Sequence, residues 1–167
     1  YVAVGDEAGT SVAVAILEYS LAPGAQFPVP LRQAATGLNE ILAQGFQPRD
    51  IIVGGDSAGA NLTLQLAGHV LHPPSEAPPL NLHEPLAALF FVSPWATMDT
   101  SGSSYRTNSR NDLLTSATVE HLIRQNLQPG PLRVARAGQN GWVAPLDAGE
   151  SWLRGLDAVT KRVYVTV

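Results

Sequence analysis

Val12-Ala13-Val14-Ala15-Ile16-Leu17 is an unbroken apolar run rich in β-branched residues. Such a run predicts a strand buried on both faces, as in a parallel sheet. The Pro/Gly-rich stretch from Leu21 to Pro30 ends it, and apolar positions Leu31, Ala34, Ala35, Leu38, Ile41 and Leu42 then recur at helical spacing. Pro30 suits the first turn of that helix and Gly45 its C-terminal end. Ile51-Ile52-Val53 predicts a second strand, entered through the turn Gln47-Pro48-Arg49-Asp50. It runs into Gly54-Gly55-Asp56-Ser57-Ala58-Gly59, after which a mostly apolar helix extends from Ala60 to about Leu71. The prolines between Pro73 and Pro79 make a surface loop, and Leu86 to Val92 predicts a third buried strand. Strand, helix, strand, helix, strand in this order predicts an α/β fold of βαβ units with a mostly parallel sheet and helices on both faces.

From about 94 to 141 the alternation lapses. Ser93 to Ser104 reads as loop, Thr115 or Ser116 can cap a helix running to about Leu127, and Pro129-Gly130-Pro131 stops that helix. This stretch is expected to be a cap or lid excursion between two sheet strands. The closing segment Lys161 to Val167 reads as another strand.

Composition narrows the function classes. Of the 167 residues 45% are hydrophobic and 14% charged, which predicts a substantial core in a single domain spanning 1–167. Ten basic residues against 14 acidic ones, without a Lys/Arg cluster, argue against a grip on nucleic acid through its phosphates. With no cysteine, disulfides, thiolate metal sites and cysteine nucleophiles are excluded, and no His/carboxylate spacing suggests another metal site. The longest apolar runs fall far short of the roughly 20 residues of a membrane-spanning helix. No targeting signal is visible at Tyr1 and any leader would lie upstream of it, so location is left open with the cytoplasm slightly favoured, and nothing in the pattern addresses oligomeric state.

Gly55-Asp56-Ser57-Ala58-Gly59 matches G-x-S-x-G, the nucleophile elbow, with a buried strand before it and a helix after it. The chain must reverse sharply there, holding the serine in a strained conformation with Oγ presented to a site. Gly55 and Gly59 are expected to keep side chains out of the tight strand–helix contact. The Ala58 amide, near a helix N-terminus, is expected to face a developing oxyanion. The competing reading makes Ser57 an ordinary helix N-cap in a Gly-rich turn. A phosphate cradle is disfavoured, because no Walker lysine follows and the glycines lack the G-x-G-x-x-G spacing. Asp56, adjacent to the serine on the same turn, is placed for a structural or solvated role rather than for holding a histidine.

The chain resembles the hormone-sensitive-lipase-like esterase branch of the α/β-hydrolases, most closely its fungal members. Glu18-Tyr19-Ser20-Leu21-Ala22-Pro23 looks like that branch's D-Y-R-L-A-P, and Phe27-Pro28-Val29-Pro30 like the F-P-A-P that follows. Gly55 to Gly59 matches its G-D-S-A-G, Asn61-Leu62 continues the match, and Ser93-Pro94-Trp95 is similar to the segment after the next strand. The resemblance implies an α/β-hydrolase fold and a serine carboxylic-ester hydrolase acting through an acyl-enzyme on Ser57. It implies no cofactor and a small-molecule ester as substrate. Glu18 and Ser20 depart from the usual Asp and Arg. The family's H-G-G-G oxyanion segment would lie upstream of Tyr1 and its acid and histidine downstream of Val167. The chain is therefore expected to be a central piece of such a domain, incomplete at both ends and with negligible activity alone. A non-catalytic ligand-binding relative and an acyltransferase remain alternatives.

Within the chain, Asp99 and His121 are the only pair that can be read as a substitute acid and base, and a solvated helix face is the plainer reading of His121. His69 and His72, near a helix end, and His83, in the proline loop, read as structural or solvated. Trp95, following a strand's C-terminal end, is a candidate wall of the acyl pocket, and Trp142 and Trp152 read as packing.

Overall fold

The computed structural model describes residues 7, 9–74, 76–126 and 140–167. The first element whose bounds lie within the described residues is helix α1, Val29–Ala43, which buries Leu31, Ala34, Ala35 and Leu38. These positions share one face at the spacing read from the sequence, and Pro30 lies in the first turn. Gly45, just past the helix end, has φ +97° and donates its N–H to the Leu42 carbonyl at 3.0 Å. Only glycine takes that conformation without strain.

A 3-10 turn at Pro48–Asp50 leads into strand β1, Ile52–Asp56, followed by helix α2, Ala58–Leu71. Strand β2 is Ala88–Val92, and strand β3 is Val163–Thr166. The sheet order is β1-β2-β3 and both pairings are parallel, with Ile52 opposite Ala88 and Leu89 opposite Val163. An isolated parallel bridge, Leu86 with Thr160, continues the second ladder backwards. Between β2 and β3 lie α3, Ser103–Thr107, α4, Ser116–Asn126, and α5, Asn140–Val143. Thr115 caps α4, its Oγ1 accepting the Thr118 N–H at 3.2 Å. The Pro129-Gly130-Pro131 stop falls outside the described residues.

Two apolar clusters form the core. Leu31, Ala35 and Leu38 of α1 meet Leu62 and Leu66 of α2, while Ala60 and Ala67 of α2 meet Leu89 and Phe91 of β2 and Val159. Helix α2 thus lies between α1 and the sheet, which explains its nearly continuous apolar sequence. The opposite sheet face carries Ile52 and Tyr164, both exposed, so the second helical layer expected there is not among the described residues.

The apolar run Val12–Leu17 is not a strand. Residues 10–20 take no regular structure, no described strand pairs with them, and Ile16 is 89% exposed. A strand exists through its ladder, and β-branched composition reports suitability for a sheet without supplying the neighbour. The segment is instead anchored at its end. Gln33 of α1 takes the Ser20 N–H on Oε1 and donates through Nε2 to Ser20 Oγ, both at 2.9 Å. Tyr19 packs against the α1–α2 cluster.

Candidate active site

Ser57 occupies the one-residue junction between β1 and α2, with φ 53° and ψ −110°. A positive φ is uncommon for a residue with a side chain and costs on the order of 1–3 kcal/mol. Its backbone is held on both sides. The Ser57 N–H donates to the Val92 carbonyl at 2.9 Å, while its own carbonyl accepts from Asn61 N–H at 3.0 Å and from Trp95 N–H at 3.3 Å. Although Ser57 stands at the N-cap position, its side chain makes no capping hydrogen bond. The hydroxyl is exposed rather than folded onto the helix.

The neighbours of Ser57 behave unequally. A Cβ on Gly55 would overlap the Gly59 carbonyl and approach Ala60 N to 2.8 Å, so only glycine fits there. A Cβ on Gly59 would meet nothing within 4 Å. The expectation that both glycines exclude side chains therefore holds for Gly55 alone, and Gly59 contributes the backbone against which Gly55 packs. Gly54, outside the motif, is equally constrained, since its Cβ would collide with the Phe90 ring and lie 2.7 Å from the Phe90 carbonyl. Asp56 ends β1 with its side chain exposed, as a structural or solvated role requires.

Ala58 is the first residue of α2, and its N–H is among those for which an α-helix supplies no acceptor. It also lines a cavity of about 60 Å³, with Tyr19, Phe27, Leu62, Trp95 and Met98 among the other walls. Trp95 is thus beside the elbow. Tyr19, Phe27, Asn61 and Gln65, which also line the cavity, were not singled out as site residues, although all but Gln65 stand inside the family-like segments.

His69 and His72 bind carbonyls, but not those of their own helix end. His69, fully buried, meets the Pro78 carbonyl through Nε2 at 2.7 Å, and His72 meets the Trp152 carbonyl at 2.8 Å. His72 also lies 4.3 Å from the Trp152 ring, which meets Trp142 edge-on at 5.0 Å. This group packs over Gly68 of α2. Asp99 does not engage His121: its carboxylate accepts the Ser101 N–H at 2.8 Å and the Ser101 hydroxyl at 2.9 Å. Those two bonds hold its pKa below the ordinary aspartate value.

A sharp turn from a parallel strand into a buried helix, with an exposed uncapped serine at the turn, accords with the comparison to known families. The profile of the alpha/beta hydrolase fold matches residues 7–165. The chain belongs to that family. An esterase of Acinetobacter venetianus is 31% identical over 131 residues, covering 75% of this chain and 41% of the relative. An acetyl-hydrolase of Streptomyces hygroscopicus is 31% identical over 126 residues, 75% of this chain and 39% of the relative. The hydrolase chain thus spans about two fifths of the length of these curated relatives. Among solved structures, EstE5 soaked with ethyl alcohol superposes with a TM-score of 0.63 at 23% identity, over 89% of this chain and 44% of that one. A bacterial hormone-sensitive-lipase-family esterase gives 0.62 at 24%, over 89% and 54%. These two likenesses show the fold. The named relatives are bacterial, and none of them bears on the likeness to fungal members.

Proposed function

We propose that this alpha/beta hydrolase is a serine carboxylic-ester hydrolase in which Ser57 is the nucleophile. The observation that carries the reading is the conformation of Ser57, held at positive φ with its hydroxyl not used as a cap. A serine present only to start a helix would adopt ordinary extended backbone and bond the N2 or N3 amide. Relatives named esterase and acetyl-hydrolase favour hydrolysis over non-catalytic binding.

In this reading Ser57 Oγ attacks the ester carbonyl and a histidine takes its proton. The carbonyl oxygen, gaining negative charge, is met by the Ala58 N–H at the positive end of α2. Collapse of the tetrahedral intermediate releases the alcohol and leaves an acyl-Ser57 ester, which water then hydrolyses. The histidine, the acid that orients it and further oxyanion donors would come from sequence flanking these 167 residues, which would make the chain a central part of a fungal-type domain. The stretch 94–141 would form its cap, with α3 and α4 as the described parts. The cavity beside Ala58, about 60 Å³ and walled largely by apolar side chains, is where a small acyl group would sit.

The test is hydrolysis of p-nitrophenyl acetate by the protein with its native flanking sequence. Ser57→Ala is expected to lower kcat by about 10⁴-fold or more while the protein stays folded. Turnover surviving in Ser57→Ala would overturn the assignment. The 167-residue chain by itself is expected to show negligible turnover, because without a base the hydroxyl is a poor nucleophile.

A further inference from the structure

Asn61 is 94% buried, at 6% exposure, one turn beyond Ser57, and it ties together parts of the chain that are remote in sequence. Both hydrogens of its amide are used, one on the Trp95 carbonyl at 2.6 Å and one on the Val143 carbonyl at 2.8 Å. Its Oδ1 accepts from Gln65 Nε2, one turn further along α2, at 2.6 Å. The two carbonyls admit only the NH₂ end of Asn61, so its oxygen must face Gln65, and Gln65 must present its own NH₂. Gln65 Oε1 is thereby turned away from Asn61, buried and without a protein partner among the described residues. An acceptor without a partner is unfavourable, and this orientation of Gln65 follows from that of Asn61.

Trp95 and Val143 are walls of the cavity beside Ala58, and the same Trp95 donates its backbone N–H to the Ser57 carbonyl. Trp95 follows β2 and Val143 belongs to α5, at the far end of the excursion from the sheet. Neither wall is part of the elbow, and in both cases the main chain is bonded to the same side chain. We infer that Asn61 is a positioning residue that sets the acyl-length limit of the site, by clamping these two walls to the helix that follows Ser57. The inference rests on the proposed esterase activity and deepens it. Asn61 does not touch the reacting atoms in this account. Releasing its two carbonyls lets the walls move outward, so longer acyl groups enter while acetyl esters lose their close fit.

The experiment compares kcat/KM for p-nitrophenyl acetate, butyrate and hexanoate, using the protein with its flanking sequence. Five variants are measured: Asn61→Leu, Asn61→Asp, Gln65→Leu, Leu66→Ala and Ser57→Ala. The unaltered protein is expected to prefer acetate over hexanoate by at least tenfold. In both Asn61 variants that ratio is expected to fall to threefold or less, through a raised KM for acetate and a lowered KM for hexanoate. Gln65→Leu removes the donor to Asn61 Oδ1 and exchanges one unpartnered oxygen, Gln65 Oε1, for another, Asn61 Oδ1, so it should stay folded, loosen the hold on Asn61 and shift the ratio in the same direction. It carries the test if the Asn61 variants fail to fold. Leu66→Ala, which weakens the same helix away from the cavity, controls for simple destabilisation and is expected to leave the ratio unchanged. An unchanged ratio in folded Asn61 or Gln65 variants, or an equal change in Leu66→Ala, overturns the clamp. Hydrolysis that survives Ser57→Ala overturns the underlying reading instead.

Discussion

Gly55 and Gly59 flank Ser57 symmetrically in the sequence but not in space. Adding a methyl group to Gly55 drives it into the Gly59 carbonyl, whereas the same group on Gly59 points into open space within a helix. Gly55→Ala should destabilise the fold by about 1–3 kcal/mol, the usual cost of overpacking. Gly59→Ala should be neutral or stabilising by up to about 1 kcal/mol, as alanine is the better helix former. Urea unfolding of the two variants separates them, and equal losses would mean that the elbow is packed otherwise. Asp99 allows a second test at this scale. Two hydrogen bonds from Ser101 favour its ionised form, so its folded pKa lies below its unfolded one. The associated stability is present at neutral pH and is lost as pH falls through the lowered value. Ser101→Ala should move the Asp99 carboxyl titration, followed by NMR, up toward the ordinary range. A titration that does not move would show that Ser101 is not the cause.

At the scale of elements, local chemistry was easily read wherever an element depends on its own residues. The face of α1, the helical run after Ser57 and the threonine cap of α4 all follow from spacing and short-range hydrogen bonding. Thr115→Ala should cost α4 about 1 kcal/mol, seen as faster amide exchange at Thr118 and the following turn. Unchanged exchange would remove Thr115 as the cap. Elements that depend on a distant partner were legible only in part: the apolar runs that became β1, β2 and β3 were read as strands, but their pairing was not contained in any one run. Val12–Leu17 has strand composition and no ladder, and nothing within a single run of sequence specifies which neighbour it lacks. The same limit hid Asn61 as a clamp. Asn61-Leu62 is visible as part of a family-like segment, but the bonds to Trp95 and Val143 span 34 and 82 residues and arise only from packing. Gln65 left no signal, since a polar residue in an apolar helix reads as a solvated position until its burial is known.

For the molecule as a whole, the three-stranded parallel sheet is the backbone of the hydrolase fold, and one of its faces is uncovered among the described residues. Tyr164 is 54% and Val165 57% exposed, and both lie on an edge strand whose outer backbone has no described neighbour. An edge of this kind invites pairing with another chain. The 167-residue chain is therefore expected to self-associate in solution, and Val165→Lys to reduce that association, as read by sedimentation. A monodisperse monomer with Val165 in place would contradict this. A strained turn, a helix start and a small cavity meet at Ser57. The most direct measurement is the intact mass of the protein with its flanking sequence after exposure to a fluorophosphonate, followed by peptide mapping. A single adduct on Ser57, absent from Ser57→Ala, is the predicted result. An adduct on another residue, or an unlabelled protein that still hydrolyses esters, would contradict it.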